Sequence, residues 1–200
     1  MSNPDDIWIE REKSEIRNDW FKTHVATIQL NTPELTLVKW QKPDSWIFGC
    51  KFIIHRRWLT VLGDIGEAVY EWSEDISLQF VANCGLHYFL GKCQASEDGR
   101  KFKYWESQLA MENAAIWLAE MEKEGEGSDR LEVMREIAKL GKAGKDEYQT
   151  AANDAFDSTG DSEFCCQITS LGTVPHPRAI GHWIGIQMAV EQLKAGGKLP

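Results

Sequence analysis

Val25-Ala26-Thr27-Ile28-Gln29-Leu30, Leu35-Thr36-Leu37-Val38-Lys39-Trp40, Trp46-Ile47-Phe48-Gly49-Cys50-Lys51-Phe52-Ile53-Ile54, Trp58-Leu59-Thr60-Val61-Leu62 and Ala68-Val69-Tyr70-Glu71-Trp72 follow one another within fifty residues. Each run is rich in β-branched and aromatic residues, which fit a pleated, half-buried surface. Turn chemistry separates them, as at Pro43-Asp44-Ser45 and Gly63-Asp64-Ile65-Gly66. Connections this short join antiparallel neighbours, because a parallel pair needs a long crossover. Residues 25–72 therefore read as an antiparallel β-meander.

The flanks read as helix. Asn3-Pro4-Asp5-Asp6 combines a capping residue, a proline suited to the first turn and acids suited to the positive end of the dipole. Ile9, Ile16 and Trp20 follow on one face, giving an N-terminal helix within residues 1–22. From Ser77 to residue 196 the spacing is helical. Ser77 caps a short helix. Leu86, Phe89, Leu90 and Cys93 mark a second, beyond which Ser96-Glu97-Asp98-Gly99 is a loop. Phe102, Trp105, Leu109 and Ile116 mark a long one ending near Gly125. Ser128 caps the next, Tyr148, Ala152 and Phe156 define another, and Pro177 opens a final helix. Strands followed by helices predict an α+β fold, in a single domain over residues 1–200.

Composition narrows the function classes. The net charge of −9 disfavours direct nucleic-acid binding, which needs lysine and arginine against phosphate, and disfavours anionic membranes. It suits a partner with a basic surface. No apolar run approaches the roughly 18 residues of a membrane helix, and no secretory signal is apparent. The five cysteines, Cys50, Cys84, Cys93, Cys165 and Cys166, then read as reduced thiols in a cytoplasm. Cys84, His87 and Cys93 lack the paired spacing of zinc ligands, so no metal and no cofactor is expected. One of the adjacent Cys165 and Cys166 is expected in the core.

No nucleophile elbow, phosphate loop or dinucleotide fingerprint occurs. His55-Arg56-Arg57-Trp58 is the densest cationic spot and has an aromatic neighbour, a combination suited to phosphate, carboxylate or a nucleobase. Arg178 and His182, four apart on the last helix, are candidate helpers. Asp64 with Glu67 is a candidate acid pair in the turn. Tyr70 and Trp72 on the returning strand complete the candidate binding set. Nine tryptophans are many for this length. Trp40, Trp46, Trp58 and Trp72 lie in the strand region, where alternation brings some of them to the sheet's open side, and exposed tryptophan favours partner binding. Gly181 and Gly185 allow close packing along the final helix.

Leu62-Gly63-Asp64-Ile65-Gly66-Glu67-Ala68-Val69-Tyr70-Glu71-Trp72-Ser73, then Leu86-His87-Tyr88-Phe89-Leu90-Gly91-Lys92-Cys93-Gln94-Ala95-Ser96, resembles a group of uncharacterised proteins encoded by bacteriophages and prophages. The stretch from Pro177 to Ala189 is similar to that group as well. The resemblance covers half the chain. It implies a helix around the Lys92-to-Ser96 motif and a small accessory protein in the cytoplasm of an infected bacterium. It implies no catalytic residue. The expected function is a non-enzymatic antagonist of a host defence protein, such as a CRISPR effector or nuclease, with homo-oligomerisation left open. The alternative is a protein that binds or cleaves a nucleotide signal of host defence.

Overall fold

A computed structural model of the chain describes residues 4–97 and 102–199. The expected Asn3 cap and the Asp98-Gly99 loop lie outside them. The fold is α+β, and its meander is an antiparallel sheet. The chain divides into two compact units. One comprises residues 1–9 and 103–174, and the other residues 10–102 and 175–200.

The sheet unit holds β1 (Val25–Asn31), β2 (Leu35–Gln41), β3 (Cys50–His55), β4 (Trp58–Gly63), β5 (Ala68–Glu71) and β6 (Cys93–Ser96), paired in that order. Helix α1 (Pro4–Glu15) and a π-helical turn (Ile16–Trp20) precede the sheet. The two short helices α2 (Leu78–Ala82) and α3 (Leu86–Leu90) lie between β5 and β6. The Ser77 side chain accepts a hydrogen bond from the Phe80 amide, the cap read from the sequence.

Alternation sets the two faces of the sheet. Val38 pairs with Phe52, Phe52 with Val61, Leu59 with Tyr70 and Tyr70 with Cys93, and all of these are buried. Helix α8 (Pro177–Ala195) supplies apolar cover in this unit, with Ile180, Ile184, Ile186 and Val190 buried. Gly185 makes the close approach possible, because a Cβ there would stand 3.0 Å from Phe52 Cζ and 3.4 Å from Trp40 Cδ1.

The helical unit contains residues 4–9 of α1, β7 (Lys103–Trp105), α4 (Ser107–Glu124), α5 (Ser128–Lys139), α6 (Lys145–Thr159), α7 (Ser162–Ile168) and all but the last residue of β8 (Thr173–Pro175). Its core gathers Ala110, Ala114, Met134, Ile137, Tyr148 and Phe164. Gly125 and Gly160 end α4 and α6 in the left-handed conformation. Asp161 caps α7 through the Phe164 amide. Cys165 is buried and Cys166 exposed, as their adjacency implied.

Five readings change. The Lys92-to-Ser96 motif is not helical. Gly91 closes α3, and Cys93–Ser96 becomes the sixth strand because the free edge of β5 offers a ladder. The region 77–196 therefore contains three strands, β6, β7 and β8, among its helices. Trp46–Gly49 is a turn rather than the start of a strand. The Asp64 carboxylate accepts the Phe48 amide at 2.8 Å, and the Phe48 ring stacks on Trp20 at 4.7 Å. Phe102 and Trp105 precede α4 instead of lying on it, and α5 begins at Ser128 with Gly127 in the cap position.

Candidate interaction surfaces

His182 and Tyr70, 112 residues apart in sequence, meet inside the sheet unit. The Tyr70 hydroxyl lies 2.9 Å from His182 Nδ1. The other ring nitrogen, Nε2, is 3.1 Å from the carbonyl oxygens of both Ile65 and Gly66. Carbonyls only accept, so Nε2 carries the proton and Nδ1 accepts from Tyr70. Each polar atom of this buried group is satisfied. Burial holds the His182 ring neutral and pulls its pKa to about 4, against the opposing pull of the two carbonyls. Arg178 leaves this core and pairs with Glu97 at 3.2 Å. The second Glu97 oxygen accepts the Glu67 amide.

A pH dependence follows from that lowered value. Unfolded histidine titrates near 6.5. Above that pH both states are neutral and the stabilisation is complete. As pH falls below 6.5 the unfolded chain takes the proton first, and the stabilisation drains away until the native ring protonates near 4. We expect His182 to remove about 3 kcal/mol of stability across this window. Urea melts at pH 7, 5.5 and 4, wild type against His182→Asn, read this directly.

The cationic hairpin stands apart from this group. His55 pairs with Trp58 and Trp58 with Glu71, which places their side chains on the sheet face opposite Tyr70. The Arg57 guanidinium is held by Glu71 at 2.9 Å and lies 5.5 Å from the Trp58 ring centroid. Arg56 occupies the left-handed turn position, with φ 54°, and is exposed. The eight candidates from hairpin, turn, strand and helix thus do not form one pocket. Tyr70 and His182 build the core, His55, Arg56, Arg57 and Trp58 form an exposed hairpin tip, Asp64 ties down the Trp46–Gly49 turn, and Arg178 bonds Glu97. Trp72 is the ninth, and it is buried against Phe89 and Phe80. Of the strand-region tryptophans, Trp40 and Trp72 are buried, Trp58 is half-buried on the open face, and Trp46 is exposed on its turn.

Charge, by contrast, is sharply sorted. Residues 1–9 and 103–174 carry 7 lysines and arginines against 17 aspartates and glutamates, a net −10. The remainder carries 15 against 14, a net +1. The acidity of the chain thus belongs to the helical unit alone. Within it, a cavity of about 280 Å3 is walled by Trp117 and Phe164 and rimmed by Glu126, Asp161 and Glu163. Arg130 reaches into its lining. Its guanidinium pairs with Asp161 and lies 5.4 Å from the Phe164 ring centroid. A planar cation between an aromatic face and carboxylates is a stable arrangement.

Sequence reasoning placed the charge on the whole chain and so missed its sorting. Counting acids segment by segment would have found the excess beyond residue 103. Among the described residues, no cluster of three or more histidine, cysteine or acidic side chains is placed to hold a metal ion, and no helix is long and apolar enough to cross a membrane. No family model, no curated protein and no solved structure matches the chain.

Proposed function

We propose that this protein works by binding another protein, with its acidic helical unit seated on a basic surface of the partner. The observation that carries the reading is the sorting of charge, −10 in one compact unit against +1 in the other. Single-sign fields of this kind steer a complementary partner and raise association rates by about 10- to 1000-fold.

From the resemblance to phage and prophage proteins expected on the sequence, we infer that such a partner belongs to an infected bacterium. A host defence protein that handles nucleic acid, such as a nuclease or CRISPR effector, presents the required basic surface. The chain would then occupy the nucleic-acid path by charge and shape. The nucleotide-signal alternative receives no support from the hairpin, whose Arg57 is already paired and whose supposed helper His182 is on the opposite side of the sheet.

Affinity capture from infected cells tests the reading. At about 0.05 M salt the chain is expected to retain a basic protein, and at about 0.5 M, where screening is several-fold stronger, to release it. Retention that is indifferent to salt, or capture of acidic proteins only, would overturn it.

A further inference from the structure

The open face of the sheet carries an arrangement that an isolated sheet does not favour. Lys39 on β2 and Lys51 on β3 stand directly opposite each other. Side chains so placed are about 5 Å apart, and like charges there weaken the pairing. Neither lysine has an ion pair among the described residues, and Lys39 contacts the Trp46 ring at 6.0 Å. The next row across the same face is Leu37, Ile53, Thr60, Val69 and Ala95, each paired with the next. None of these five is buried. A positive row beside an apolar row calls for an occupant that is acidic and apolar at matching spacing.

Helix α4 offers that complement. Glu112, Ile116, Glu120 and Glu124 recur every four residues and so share one side of the helix. All are exposed, Ile116 by 44%. Glu120 and Glu124 are separated by about 6 Å of helix rise, close to the spacing of the two lysines, and Glu112 lies about 12 Å from Glu120 with Ile116 between them. Ala115 and Ala119 beside them are exposed and small, so a flat surface can approach. Glu120 and Glu124 have no ion pair among the described residues. We propose that the open sheet face of one copy seats the Glu112-to-Glu124 side of α4 from a second copy. The two surfaces differ, so the association is a reciprocal dimer, a closed ring or an open chain, according to its symmetry.

This inference goes beyond the partner reading and can fail without it. Sedimentation velocity of the full chain, at rising concentration and about 0.05 M salt, is expected to show reversible association that about 0.5 M salt abolishes. Lys39→Glu/Lys51→Glu alone and Glu112→Lys/Glu120→Lys alone are each expected to weaken it at least tenfold, by the few charges that each reverses. Mixing the two variants is expected to restore it, because each then meets its opposite. All are exposed or half-exposed positions, and circular dichroism checks that the fold is retained. A monomer at every concentration overturns the proposal. So does association that the lysine variant leaves unchanged, or a wild type that binds a poly-glutamate peptide or single-stranded DNA while remaining monomeric by itself. The Lys39→Glu/Lys51→Glu chain should still capture the basic partner. If it self-associates normally and wild type captures no partner, both readings fall.

Discussion

Replacing His182 with alanine is expected to cost about 4 kcal/mol, a large share of the stability of a domain this size. Three hydrogen-bonding groups lose their partner together. These are the Tyr70 hydroxyl and the carbonyls of Ile65 and Gly66, and His182 itself is fully buried. Orphaned buried groups of this kind cost about 1–3 kcal/mol each, though water entering the vacated volume recovers part of it. The lost ring adds a cavity between α8 and the turn after β4. Tyr70→Phe is a graded companion, since it strands only His182 Nδ1 and should cost about 1–2 kcal/mol. Equilibrium urea unfolding of both variants measures this. A loss below about 1 kcal/mol for the alanine variant would mean that the network is incidental to the fold.

Gly63→Ala should be comparably severe, for a different reason. Gly63 ends β4 with φ 151°, where L side chains are rare. A Cβ there would lie 2.3 Å from the Gly49 carbonyl oxygen and 2.7 Å from Cys50 Cα. Both obstacles are backbone, and the Asp64 amide fixes the same Gly49 carbonyl at 2.9 Å. Relief requires moving the Trp46–Gly49 turn and the start of β3 together. We expect a loss of more than about 3 kcal/mol. Gly125→Ala serves as the control. It too has positive φ, 72°, but nothing lies within 4 Å of its added Cβ, so it should cost only the left-handed penalty of about 1–2 kcal/mol. Equal losses at the two positions would show that conformation alone decides, and that the close approach at Gly63 is not tight.

The meander was legible because its signals are local. Alternation over six residues and a two- to four-residue turn suffice to define a hairpin, and β1, β2, β4 and β5 fall within a residue or so of their reading. Helix α8 was equally plain from Pro177, its apolar spacing and its two close-packing glycines. The failures in the sheet are long-range. Trp46-Ile47-Phe48 has the composition of a strand, and only Asp64 and Trp20, remote in sequence, turn it into a bend. Cys93–Ser96 has no strand pattern strong enough to stand alone, and becomes one because β5 has an open edge.

The same limit governs the candidate residues. Arg57 and His182 look alike as isolated polar residues, yet one is a surface ion pair and the other a neutral core histidine. Sheet parity decides between them, since Trp58 and Tyr70 take opposite faces. The Lys39–Lys51 juxtaposition likewise depends on the β2–β3 register, which the misread turn obscured. Net charge was readable from the first, but its meaning was not. The excess beyond residue 103 can be counted in the sequence, but its assignment to one compact unit needs the fold.

The claim on which the functional account rests is that the acidic helical unit makes the contact with the partner. Measuring the association rate with the captured partner, for wild type and for a chain carrying Glu124→Gln, Glu132→Gln, Asp154→Asn and Asp157→Asn, tests it most directly. These changes reduce the unit's charge from −10 to −6 and touch none of its ion pairs. The account predicts a rate lowered about tenfold at low salt, with the gap closing as salt rises. An unchanged rate, alongside a slowed one for Lys39→Glu/Lys51→Glu, would place the partner on the sheet and contradict the account.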